Sequence, residues 1–160
     1  MSDSCSWIDL AGLAYEAEEG QLYQVADTLT ATALLGAQFV LVNGNSKGIP
    51  VRVISARVSI TSPVGLTLGW VAADPALAAG NPATNMRLGG AAAEAINEAA
   101  VAAAPTIAGK MNLPNLSINT ELELLLPGSV FLASGQALAI SSAAVASTIS
   151  VVWLWAEVPV

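Results

Sequence analysis

Histidine is absent from all 160 residues. Its absence excludes Ser-His-Asp and Cys-His catalysis and most zinc sites. Charge is also scarce, at 11% of residues against about 25% in an average chain. Only five residues are basic, and Lys47, Arg52, Arg57, Arg87 and Lys110 are scattered along the chain. Nucleic-acid binding draws on clustered cations that displace counterions from phosphates, so no nucleic-acid partner is expected of a chain with net charge −7. Cys5 is the single cysteine, which leaves no intrachain disulfide. No apolar run approaches the roughly 18 residues of a membrane span. The opening MSDSCSWID has neither a basic region nor an apolar core, so it does not read as a signal peptide. A soluble protein made in the cytoplasm, without a membrane partner, is expected.

What is abundant is apolar: 54% of the residues are hydrophobic. One domain suits this length, and about 70% of its unfolded surface can be buried without staples. So little charge points to surface covered by subunit contacts, since obligate interfaces are more apolar than ordinary surface. The strongest strand signal is 149–157 (ISVVWLWAE), β-branched and aromatic throughout. Alternation places Ile149, Val151, Trp153 and Trp155 on one face and Ser150, Val152, Leu154 and Ala156 on the other. Both faces are largely apolar, which calls for cover on both sides, and a partner subunit is one such cover. Trp153, Trp155, Val151 and Trp70 are therefore the candidates for oligomer interface or packing.

Other strands are predicted at 21–26 (extendable through 29–35), 37–42, 51–61, 66–71, 121–126, 129–133 and 137–141. In 51–61 the core face is predicted to be Arg52, Ile54, Ala56, Val58 and Ile60. Asn43-Gly44, Ser62-Pro63, Pro127-Gly128 and Ser134-Gly135 punctuate them. Strands at about ten-residue spacing have the rhythm of a sandwich or barrel. Residues 74–88 read as a loop and 106–119 as irregular. The Ala-rich stretch 90–104 predicts a helix of three to four turns stopped by Pro105, with a low-complexity loop as the alternative. Glu94 and Glu98 would repel each other at i, i+4 on that helix. Residues 1–20 read as an N-terminal arm and 21–160 as the folded domain. Leu10, Leu13 and Ala14 permit a short helical turn, and Glu16, Glu18 and Glu19 form a solvated acidic turn without calcium-loop spacing.

Candidate chemistry is sparse. No phosphate-binding glycine loop has the required strand–helix context, and no cofactor is expected. Glu121 and Glu123 share a strand face about 6.6–6.8 Å apart, a glycosidase-like separation. They point side by side, though, and solvent-facing charge opposite Leu122 and Leu124 explains them equally well. The tryptophans could stack on sugars, with Trp155 beside Glu157 the best such candidate, but packing is the commoner role of Trp in strands.

The final third, ELELLLPGSVFLASGQALAISSAAVASTISVVWLWAEV, resembles the closing strands of jelly-roll decoration, or cement, proteins of tailed-phage heads. The likeness lies in a Leu-rich strand, Pro-Gly, a short strand, Gly-x-Ala-Leu-x-Ile, a Ser/Ala loop and a Val/Trp strand ending in Trp-x-Glu. It implies an all-β, jelly-roll-like antiparallel sandwich with at most the one short Ala-rich helix. It also implies a non-enzymatic virion protein that clamps a capsid as a homotrimer, with itself and the major capsid protein as partners. Trp7, Ile8 and Tyr15 would be the capsid-contacting residues of the arm. A receptor- or glycan-binding jelly roll of a phage tail is the alternative.

Overall fold

The computed structural model describes residues 21–45, 48–71, 74–113, 116 and 121–157; of Leu125 and 127–129 it describes the backbone. These residues form an all-β sandwich of two five-stranded antiparallel sheets, without a helix. The strands are β1 (Leu22–Ala31), β2 (Gly36–Val42), β3 (Val51–Ile60), β4 (Leu66–Val71), β5 (Thr84–Asn85), β6 (Ile96–Ala102), β7 (Ala108–Asn112), β8 (Glu121–Leu132), β9 (Ala137–Ser142) and β10 (Ser147–Glu157). One sheet has the order β5-β1-β10-β3-β8 and the other β6-β2-β9-β4-β7. Without β5 and β6, this is the double Greek key of a jelly roll. The proposed arm and its short helical turn lie outside the described residues, as do its Trp7, Ile8, Tyr15 and acidic residues.

The core lies between the sheets. Tyr23, Val25, Ile149, Val151, Trp153 and Trp155 from one sheet meet Phe39, Leu41, Leu66, Leu68, Leu138 and Ile140 from the other. Strand β10 therefore buries its aromatic face inside its own chain, as packing. Its second face is only half-buried at Ser150, Val152 and Leu154. Strand β3 departs from strict alternation. Its pairing with β10 shifts register between Leu154 and Trp155, which skips Ile54. This bulge resets the parity, so Val51 and Val53 are buried as well as Ala56, Val58 and Ile60, while Arg52 is not. The predicted core face thus holds from Ala56 onward but not at Arg52 and Ile54.

The predicted strands 121–126 and 129–133 belong to a single strand, β8. Val53 pairs with Val130 and Ser55 with Leu125, so 126–129 bulge out of the ladder. Pro127, which has no N–H to donate, falls where no ladder bond is needed.

The Ala-rich segment is strand β6, not a helix. Alanine favours helix by only tenths of a kcal/mol over most residues. Against that stands a seven-residue ladder along β2, from Gly36↔Ala102 to Val42↔Ile96. The region between β4 and β7 is consequently an insert that adds β5 to one sheet and β6 to the other. It also lies over the outside of the second sheet. There Val40, Val42, Val71, Ala137 and Ala139 form a second apolar cluster, covered by Leu77 and Ile107. A side chain at Gly69 would collide with Ile107, so glycine is what lets the insert lie flat. Part of the cover expected from a partner subunit comes from the chain itself.

Candidate functional site

The residues singled out in the sequence separate in space. Trp155 is fully buried and stacks on Tyr23, with ring centroids 5.9 Å apart and planes at 22°. Trp153 and Val151 lie beside it in the core. Trp70 is 36% exposed, near the end of β4, where it pairs with Ala108 of edge strand β7. Glu121 and Glu123 are half-exposed and flank Arg57, with Nε to Glu121 Oε1 at 2.7 Å and Nη2 to Glu123 Oε1 at 4.0 Å. They form a surface ion cluster of small energetic worth rather than a facing catalytic pair. Trp155 and Glu157 offer no open platform to a sugar.

Glu157 instead fastens the insert. Its carboxylate accepts the backbone N–H groups of Glu94 (2.8 and 3.1 Å) and Ala95 (2.8 Å) and, at 3.4 Å, the Trp155 Nε1–H. Two further acids do similar work. Asp27 accepts from the Asn81 N–H and from the Asn97 side-chain amide, and Glu98 accepts the Leu77 N–H at 3.1 Å. Acidic side chains thus fasten the insert near its start, at Leu77 and Asn81, and just before β6, at Glu94 and Ala95, by accepting backbone N–H groups.

Burial raises the Glu98 pKa above its ordinary value, and Asp74 raises it further, against the lowering effect of the Leu77 N–H. A carboxyl with a raised folded pKa binds more protons folded than unfolded, so stability falls as pH climbs from about 4.5 through the raised value and stays lower above it. Glu98→Gln keeps an oxygen for Leu77 and removes this dependence. We expect its stability at pH 7 to equal or exceed that of the wild type, with a flatter profile above pH 4.5. Denaturant titrations across pH check this. A loss of more than about 1 kcal/mol at pH 7 would show that the charge itself is required.

The surface that stands out is one end of the sandwich. The connections 32–35, 61–65 and 143–146 lie there side by side. The Ala143 N–H donates to the Gly65 carbonyl at 2.8 Å, Ser147 Oγ to the Ser62 carbonyl at 2.8 Å, and the Ala37 N–H to Ser142 Oγ at 2.8 Å. The first connection and the third approach so closely that a side chain at Gly36 would collide with the Ser142 carbonyl. None of the three connections contains a charged residue. Leu34 is 88% exposed, and Leu35, Pro63 and Val145 are exposed with it. Thr32 Oγ1 accepts the N–H groups of Leu34 and Leu35 (3.3 and 3.0 Å), which fixes the turn that presents them. The absence of charge from each connection was legible in the sequence; that they converge at one end follows from the topology alone.

Among the described residues no group of three or more Cys, Asp or Glu is placed to hold a metal ion, and none of their helices could cross a membrane, since they form none. No protein-family model, curated protein or solved structure matches the chain.

Proposed function

We propose that the protein is a non-enzymatic virion structural protein that decorates and stabilises a phage capsid as a homotrimer. The observation that carries this reading is the set of three uncharged connections, with exposed apolar side chains, at one end of a jelly-roll sandwich. Four exposed apolar side chains on braced turns have little to gain from water, and they are suited to a protein surface. Leu34, Leu35, Pro63 and Val145 would form the contact with neighbouring copies and with the major capsid protein. Trp7, Ile8 and Tyr15 would add anchors from the arm. The half-buried outer side chains Val152 and Leu154 offer a second apolar surface to the same assembly.

The double variant Leu34→Asp, Val145→Asp places charge on two turns outside the core, where substitutions change stability by about 0.5 kcal/mol or less each. Its circular dichroism and melting temperature should match the wild type. Sedimentation should show a trimer for the wild type and a monomer for the variant at micromolar concentration. Capsids mixed with wild-type protein should withstand heat better than bare capsids, and the variant should confer no protection. A wild-type monomer, or decorated capsids no tougher than bare ones, would refute the proposal. A variant that assembles normally would move the interface away from this end.

A further inference from the structure

A groove of about 500 Å³ runs along the outer face of the second sheet, between the segment that leaves β6 and the turn at Ala143. It falls within the size range of small-molecule sites. Beside the groove the outer face of this sheet carries an apolar cluster: Val40, Val42, Val71, Ala137 and Ala139 lie under the insert. Along the groove it is crossed by a polar row. Gln38 pairs with Ser141, Ser141 with Thr67, and Thr67 with Asn112, in register across β2, β9, β4 and β7. Ser141, Thr67 and Asn112 line the groove together with Lys110, the one charged residue among its described walls.

Two atoms of this row lack partners. Ser141 is 5% exposed and its Oγ makes no hydrogen bond. Gln38 is fully buried; its Nε2 donates to the Ala102 carbonyl at 3.3 Å, while its Oε1 has no donor. Buried polar atoms are nearly always paired, and leaving one unpaired costs about 1–3 kcal/mol. Although Gln38 and Ser141 are cross-strand neighbours, neither unpaired atom bonds the other, so the Ser141 hydroxyl keeps both its proton and its lone pairs unused. Its lone pairs call for a donor from the groove. A bare anion has no such donor, whereas a sugar hydroxyl both donates and accepts. Lys110 adds a preference for negative charge, and among the described residues the lining contains no carboxylate to oppose it.

We propose that this groove is a binding site for an acidic saccharide, with sugar hydroxyls on the Ser141–Thr67–Asn112 row and the carboxylate at Lys110. The site is separate from the apolar end and stands whether or not that end docks on a capsid. The test is a titration of the full chain, ¹⁵N-labelled, with D-glucuronate and in parallel with D-glucose through the millimolar range. Saturable amide shifts confined to Thr67, Lys110, Asn112, Ser141 and their neighbours are expected with glucuronate, with affinity about tenfold weaker for glucose. Ser141→Ala and Lys110→Gln should each weaken glucuronate about fivefold or more. Ser141→Ala should also melt no lower than the wild type, because it removes an unpaired buried group. Absence of saturable shifts on the row, or shifts that both variants leave unchanged, would overturn the site. Equal affinity for glucose would overturn the acidic class of ligand.

Discussion

Trp155→Ala is expected to lower the stability of the protein by about 3–5 kcal/mol, the range for a fully buried Trp. The substitution deletes the indole between the sheets, its stacking on Tyr23 and the indole N–H bound by Glu157. Neighbours from two hydrogen-bonded sheets cannot collapse fully into the space, so a cavity cost adds to the lost transfer energy. Domains of this kind hold about 5–15 kcal/mol in total, and the melting temperature should fall by roughly 10 °C. Denaturant unfolding followed by far-ultraviolet circular dichroism measures it. Trp155→Glu is the sharper variant, because it buries an unpaired charge. It should yield unfolded protein. A folded monomer in sedimentation would instead place Trp155 at a subunit contact, and that result would overturn its assignment to the core.

The sequence made seven of the eight jelly-roll strands legible, but β7 (Ala108–Asn112) lies in 106–119, which reads as irregular. Its glycine and polar residues carry no strand pattern, and its pairing with β4 forms it. Alternation in 149–157 separates the two faces of β10 correctly, but both look apolar, and only the fold shows that the face of Ile149, Val151, Trp153 and Trp155 is the core. In 51–61 the same rule failed before Ala56, because a bulge at Ile54 changes the parity and leaves no mark in a strand of β-branched residues. Pro127-Gly128 looked like a turn, since local punctuation does not distinguish a hairpin from a bulge of four residues within one long strand. The Ala-rich stretch looks helical for a different reason. Its conformation is set by the open edge of β2, more than fifty residues earlier in the chain, and local propensity carries no information about that edge. The groove was illegible for the same reason: Gln38, Thr67, Asn112 and Ser141 are unremarkable residues on four separate segments, and only sheet register makes them one row. In the sequence Glu157 stands beside Trp155, a pairing that suggests a sugar platform. Its true partners, the backbone N–H groups of Glu94 and Ala95, lie in the segment taken for a helix.

That role makes Glu157→Ala the variant with the most specific expected effect. Removing the carboxylate leaves the N–H groups of Glu94 and Ala95 without their acceptor in a region closed to water at Ala95. Each buried orphan costs about 1–3 kcal/mol, so a total loss of about 2–5 kcal/mol is expected. Because the lost backbone bonds tie the insert to the end of β10, and only the long bond from the Trp155 indole lies within the sandwich, the insert should loosen before the sandwich does. Hydrogen exchange should therefore speed up first at 94–102, with β3 and β9 least affected. Glu157→Gln retains one acceptor oxygen and should fall between the two. Tyr23 supplies an independent readout. Its pKa is raised above 10 first by burial, then by the charges of Glu157 and Glu94, against a lowering hydrogen bond with Asn85. Loss of the Glu157 charge removes one raising cause, so Tyr23 should ionise at lower pH in Glu157→Gln than in the wild type, while burial keeps it above the ordinary value. Ultraviolet difference titration resolves the change, with Tyr15→Phe as the background that leaves Tyr23 the sole tyrosine. An unchanged Tyr23 titration together with unchanged exchange at 94–102 would show that Glu157 does not hold the insert.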